Sequence, residues 1–331
     1  MPSRKKVVVV GGGTGTFVSL SGLKKYPLDL SVIVSMMDDG GSNRVIRDEF
    51  GLLPTSDLRQ CIVALADENE NELLRKLFTY RYSSGVGISG MTFGNLFMAA
   101  LTDIYKSQDR AIEETCKILH VKGKIIPVTF DDSNLVARYE NGKQVLGEHS
   151  IDEPGGKQGN YKIVELELIP KAKANIKAIK EIKAADLIII GPGDLFTSVL
   201  PNILVDGIAK AIKMAKAKKL YVVNLMTRFG QTNDFSAKDH IDILQKYIGG
   251  KVLDYCLINS SKKFPKGILE RYKEEKAHPV VDDLGNNNKF KVIRKDFISS
   301  KVQIKHLTDN LKRSLIRHDS DKLAKVIMSL I

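Results

Sequence analysis

Gly11-Gly12-Gly13-Thr14-Gly15-Thr16 follows four consecutive valines and precedes an apolar-periodic segment, the order of a strand, a tight loop and a helix start. Glycines let backbone N–H groups approach a phosphate closely, and the following helix adds the positive end of its dipole. No lysine stands where a G-x-x-x-x-G-K-[ST] loop needs one, so ATP hydrolysis of that type is excluded. Against the dinucleotide pattern G-x-G-x-x-G, Gly11 and Gly13 fit, and Thr16 occupies the position of the third glycine.

Two more glycine-rich strand exits recur along the chain. "MMDDGGSN" places Asp38 and Asp39 where a carboxylate can hold ribose hydroxyls, or a magnesium ion through one or two carboxylates, with backbone donors at Gly40, Gly41 and Ser42. "GPGDLFTSVLPN" turns at Gly191, Pro192 and Gly193 and offers Thr197 and Ser198 as caps of the next helix. Asn224, Gln231 and Thr232 follow a further strand and are neutral hydrogen-bonding groups suited to a base or sugar. Near the C-terminus, Arg317 and His318 precede a helix expected to start at Asp319 or Ser320, a position suited to an anion.

What must position these groups is a series of short β-branched runs at 6–10, 30–35, 124–129, 186–190, 220–224 and 254–259, with helical patterns between them. Most are apolar on both faces, as strands covered by helices on both sides should be. The expected fold is therefore α/β, a doubly wound, mostly parallel Rossmann-like sheet whose strand ends face one crevice. Asn141-Gly142 between two alternating runs predicts a β-hairpin, so residues 131–169 read as a β excursion within one α/β nucleotide-binding domain spanning 1–331. Residues 262–300, with "LGNNN", read as an irregular insert or flap.

The formal charge of +12 raises the question of nucleic acid. Residues 1–130 hold 16 basic and 14 acidic side chains and the remainder 35 and 25, so the excess lies in the second part. Much of it is lysine at helical spacing, Lys173, Lys177 and Lys180 or Lys210, Lys213 and Lys216, with Ile176, Ile179, Ile208 and Ile212 placed on the opposite face. That pattern reads as the solvated outer faces of helices packed on a sheet, and with no tryptophan and no aromatic-basic motif nucleic acid is not favoured. No apolar run reaches the roughly 18 residues of a membrane span, and three scattered cysteines support neither a disulfide framework nor a zinc site, so a cytoplasmic location is expected.

The blocks "VVVVGGGTGTFVSLSGLK", "DDGGS", "DLRQCIVALAD", "FGNLFMAALTDI", "GPGDLFTSVLPN", "GQTNDFSAKDHI" and "IRHDSDKLA" occur in the order found in the gluconeogenesis factor family, which the chain resembles over nearly its whole length. That family belongs to the CofD-like superfamily, whose other branch contains phospholactate transferases. The resemblance implies a CofD-like fold and a nucleotide-sugar ligand, UDP-N-acetylglucosamine, with a role in carbon flux into cell-wall precursors and cell shape. It also adds Asn95, Asp194 and Asn202 to the ligand-binding set. The chain departs from the family's Asp-Asp-Gly-Gly-Ser-Ser-Gly-Arg at Asn43, Arg44 and Val45, and carries Gly90-Met91-Thr92 where Gly-His-Ser is usual. The transferase branch has two carboxylates in a Ser-Pro-Asp-x-Asp-like segment; here Thr55-Ser56-Asp57-Leu58 keeps one.

Since the motifs contain no nucleophile–base pair, the first reading is a regulatory nucleotide-sugar sensor that does not turn over its ligand and acts on a protein partner, with a homodimer as one assembly left open. A metal-assisted transferase using Asp38 or Asp39 with magnesium on a bound nucleotide diphosphate is the second. A nicotinamide oxidoreductase, with the imperfect fingerprint and no clear proton donor, is the third.

Overall fold

The computed structural model describes residues 4–41, 43, 45, 47–48, 51–67, 72–265, 267–285, 288–300 and 314–331. Of the candidate residues, Ser42 lies outside them.

Seven strands form one parallel sheet: β1 (Lys6–Gly11), β2 (Asp29–Val34), β3 (Lys124–Pro127), β7 (Leu187–Ile190), β8 (Lys218–Val222), β9 (Tyr255–Asn259) and β10 (Lys291–Lys295). Their spatial order is β10-β9-β8-β7-β1-β2-β3. The runs of Val and Ile have a direct cause. Alternate side chains enter different cores: Val8, Val10, Ile33, Ile188 and Ile190 join one cluster, while Val7, Val9, Val32, Leu187 and Ile189 join the other. With helices on both faces, neither set can be polar. Helices Gly13–Leu23, Ser56–Leu65 and Ser320–Met328 supply Leu20, Leu23, Leu58, Ile62, Leu323 and Ile327 to the second core. Helices Ile176–Ala184, Ile208–Met214 and Ala237–Ile248 supply Ala178, Ile182, Ile208, Ile212, Ile241 and Leu244 to the first.

The Asn141-Gly142 hairpin forms as expected, joining β4 (Asn134–Tyr139) to β5 (Gln144–Leu146), with Gly142 at φ +81° in the turn. Together with β6 (Ile163–Ile169) they make an antiparallel sheet of order β5-β4-β6, docked on the first core through Leu135, Ala137, Tyr139, Leu166 and Leu168.

Two expectations are corrected here. Residues 262–300 are not merely irregular, since they contain helix Ile268–Glu274 and the edge strand β10, which pairs in parallel with β9 from Lys291↔Tyr255 to Lys295↔Asn259. An edge strand faces solvent along one side and carries charges that block further pairing, so "KVIRK" lacks the apolar signature of its neighbours. Ile176 does not lie on the buried face of its helix: it is 81% exposed, on the lysine side.

Candidate functional site

From the inner strand β1 the chain winds outward through β2 and β3, then returns to pair β7 on the other flank of β1. The strand order therefore reverses between β1 and β7, where a crevice opens beyond the carboxyl ends of the strands. A cleft of about 380 Å³ lies there, within the size range of small-molecule sites.

The first loop is very short: β1 ends at Gly11 and the helix starts at Gly13, whose φ of +62° needs glycine. Gly15 packs against the next glycine-rich loop so closely that a methyl there would lie 2.6 Å from the carbonyl carbon of Pro192. The helix has no side-chain cap and no acidic residue in its first turn, and Gly12, Gly13, Thr14 and Gly15 line the cleft. Opposite them stand Pro192, Gly193, Asp194, Thr197 and Ser198. Thr197 and Ser198 do not cap a helix, because they lie inside the helical turn Leu195–Val199. Asn202, fully buried, donates to the Ser198 carbonyl at 2.9 Å and braces that turn from behind.

Asp38 reaches the cleft with its carboxylate oriented on both sides. One oxygen accepts from Gly40 N at 2.9 Å and the other from Asn43 Nδ2 at 2.7 Å. Asn43 is fully buried and its own Oδ1 accepts from Ser56 Oγ at 2.9 Å. Ser56 Oγ in turn accepts from Asn95 Nδ2 at 3.1 Å, and Asn95 Oδ1 from Arg59 Nε at 3.1 Å. Asn95 is thus three hydrogen bonds behind Asp38 in the cleft wall, and Asn43, which departs from the family pattern, is the link to Asp38. Asp39 turns away: its Oδ1 accepts from His149 N at 2.8 Å, tying down the start of helix Glu148–Asp152. Thr92, in the family's serine position, caps helix Phe93–Tyr105.

Of the remaining candidates, Asn224, Gly40, Arg317 and His318 line the cleft, whereas Gly11, Thr16, Gly41 and Gly191 do not. Gln231 and Thr232 are 1% and 2% exposed and stand behind the wall rather than in it. Thr232 Oγ1 accepts from Arg228 N at 2.8 Å, and Gln231 donates to Asp152 Oδ1 at 2.8 Å. They hold in place a pair that sequence reasoning missed, the Arg228–Asp152 ion pair at 2.6 Å. Glu148 and Asp57 also line the cleft, the latter packed against Gly12. Glu148 and Asp152 come from "GEHSID" in the segment read as a β excursion, and only tertiary structure brings that segment over the main sheet.

Burial raises the Glu148 carboxyl well above the ordinary range, and the charges of Asp38, Asp152, Asp57 and Asp39 add to it. Burial pushes Asp152 up to about 6 against the lowering effect of Arg228. Arg228 stays charged, since Asp152 and Asp194 outweigh its own desolvation.

Arg317 and His318 are fixed by a strand-like seam, with Ser299 N donating to Arg317 O at 3.0 Å and Asp319 N to Phe297 O at 2.7 Å. The helix behind them is already capped, because the Asp319 side chain accepts from the amides of Asp321 and Lys322. Attraction for an anion at this position therefore rests on the guanidinium and not on the helix end. His318 is buried and its imidazole is pushed down to about 4 by desolvation, opposed by a hydrogen bond to the Val223 backbone. A depressed histidine stabilises the fold above its ordinary pKa of 6.5 and loses that contribution as pH falls from there through about 4. As pH falls across that window His318→Gln should gain stability relative to wild type by an amount corresponding to about 3 kcal/mol, read as diverging melting profiles. Parallel wild-type and mutant profiles would remove His318 as the cause.

The fold agrees with what comparison finds. The family described as "2-phospho-L-lactate transferase CofD" matches residues 7–298. The chain belongs to this CofD family. Within it, its relatives are gluconeogenesis factors: that of Bacillus subtilis is 36% identical over 331 residues, covering 100% of this chain and 99% of its own. The putative gluconeogenesis factor of Aquifex aeolicus is 44% identical over 330 residues, 98% of this chain and 96% of its own. An X-ray structure of a Bacillus halodurans protein superposes with a TM-score of 0.87 at 36% identity, covering 98% of this chain and 100% of that one. Among the described residues no helix is long and apolar enough to cross a membrane.

Proposed function

We propose that the cleft binds a nucleotide-sugar diphosphate, UDP-N-acetylglucosamine by family resemblance, and that the protein acts as a regulatory sensor coupling carbon flux in gluconeogenic growth to cell-wall precursor synthesis and cell shape. One observation carries the binding reading: the uncapped helix at Gly13 and the Pro192–Ser198 loop face each other across the switch point between β1 and β7. Backbone donors at such a helix start suit a phosphate group. Arg317 supplies a cation that can grip a diphosphate with two parallel hydrogen bonds, and Asn224 a neutral amide for the base or sugar.

A second reading, a metal-assisted transferase, is favoured by the entry of Asp38, Asp57 and Glu148 into the same cleft. Among the described residues no group of three or more His, Cys, Asp or Glu side chains has the arrangement of a metal site. The residues fit instead a magnesium ion that arrives on a diphosphate and takes one or two carboxylates from the protein, Asp38 first. Asp39, bonded to the His149 amide and outside the cleft lining, is the poorer choice. Bound there, magnesium would neutralise phosphate charge; the chain's own part would be to hold the diphosphate and orient Asp38.

Thermal shift with uridine, guanosine and nicotinamide nucleotides, with and without magnesium, tests both readings; saturation at about 100 times Kd adds about 2.7 kcal/mol. UDP-sugars should stabilise most. A larger shift with NAD overturns the proposal, and turnover of a diphosphate substrate replaces the sensor with the transferase. In calorimetric titration Arg317→Ala should weaken UDP-sugar binding by about 10- to 100-fold, the worth of a hydrogen bond to a charged group. The unliganded melting temperature should barely move. Unchanged affinity would make Arg317 structural.

A further inference from the structure

The lysines that function leaves unused lie in two segments. Residues 171–185 and 206–219 hold ten lysines and two carboxylates, Glu181 and Asp206, which is a net +8 of the chain's +12. Their helices, Ile176–Ala184 and Ile208–Met214, pack side by side on one face of the sheet. Gly207 backs onto Ile179 and Ala174, and a backbone seam joins the two helix starts, with Ala174 N donating to Asp206 O at 3.1 Å and Asp206 N to Ala172 O at 2.9 Å. The outer surface is therefore one continuous face. Glu181 does not neutralise it, because its carboxylate bonds Ser31 and Lys124.

Four of the ten lysines have partners: Lys177 with Asp109 and Glu113, Lys213 with the Gly249 carbonyl, Lys218 with Asp254 and Lys219 with the Ala215 carbonyl. The other six, Lys171, Lys173, Lys180, Lys183, Lys210 and Lys216, have no side-chain partner among the described residues. Two large apolar side chains project among them. Ile176 is 81% exposed and Met214 72%, more than any other large apolar side chain described except Val86. Ile176 shares a helical stripe with Lys180 and Lys183, and Met214 shares one with Lys210.

We propose that this face seats the protein on an anionic lipid surface, with lysines in the headgroup layer and Ile176 and Met214 dipping toward the acyl boundary. Unpaired lysines around exposed aliphatic side chains match that chemistry, in which electrostatic attraction and a small buried apolar area add. Nucleic acid fits less well. Neither segment contains an arginine for a bidentate phosphate grip or an aromatic ring for base stacking.

Cosedimentation of the full chain with vesicles tests the proposal. Vesicles of phosphatidylcholine with phosphatidylglycerol should bind it at about 0.05 M salt, release it at about 0.5 M, and bind better than pure phosphatidylcholine vesicles. Lys180→Glu/Lys210→Glu should weaken binding at least about tenfold, since each lysine near such a surface contributes on the order of one factor of five. Ile176→Ser/Met214→Ser should weaken it several-fold and leave the salt dependence in place. All four positions are exposed, so melting temperatures should match wild type. The proposal is overturned if phosphatidylglycerol vesicles do not bind, if the lysine variant binds as wild type does, or if a single-stranded oligonucleotide binds more tightly through the same lysines.

Discussion

Arg228→Ala should destabilise the protein by about 3–5 kcal/mol in chemical denaturation at neutral pH, the usual loss when one member of a buried ion pair is removed. The side chains of Arg228 and Asp152 are only 17% and 20% exposed. Without the guanidinium, the Asp152 carboxylate would keep one donor, Gln231 Nε2, and no compensating charge. The loss has a pH signature. Burial already lifts Asp152 to about 6, and removing Arg228 takes away what opposes that rise. In the variant Asp152 should therefore be protonated at pH 5, and the defect should be smaller there than at pH 8. Adding Asp152→Asn should recover much of the stability at pH 8, because the uncompensated charge is gone. A loss below about 1 kcal/mol, or one independent of pH, would show that water solvates this pair as it does a surface pair.

Gly15→Val should abolish nucleotide binding and cost about 1–3 kcal/mol or more, the range for overpacking. A side chain at this position meets the Pro192 backbone, and backbone cannot rotate aside. To admit it, the loop after β1 must part from the loop after β7, which dismantles the facing surfaces of the cleft. Gly41→Ala is the control: its φ of +52° is strained for alanine, but nothing stands within 4 Å of the added atom and it lies outside the cleft. That variant should lose a modest amount of stability and no affinity. A folded Gly15→Val protein with undiminished affinity would show that the contact between loops does not shape the site.

How far the sequence reveals the site depends on where each part gets its signal. β1, β2 and β7 are buried on both faces, so their apolar runs are unmistakable, and the glycines that let Gly15 meet Pro192 are visible as composition. β10 was obscured because half of its environment is water. The acidic wall was harder to see for a different reason. Glu148 and Asp152 sit on a five-residue helix with no pattern of its own, and only the docking of the small sheet carries them across to Arg228. Gln231 and Thr232 show the converse. Their block is legible in the sequence, yet their side chains serve the ion pair from behind, because side-chain direction in a loop follows from packing and not from composition.

The pairing of β1 with β7 sets a timetable for synthesis. Val10 lies beside Ile190, 180 residues further along the chain. At 5–20 residues per second a ribosome needs roughly ten to forty seconds to make that stretch. During that interval β2 can pair with only one flank of β1, and the other flank of "KVVVVG" presents an unpaired ladder of N–H and C=O groups along an apolar, strongly β-forming edge. The strand that later stands inside the sheet, paired on both flanks, is an exposed border while the chain is being made, and the edge of a neighbouring nascent copy can take the place that β7 will eventually fill.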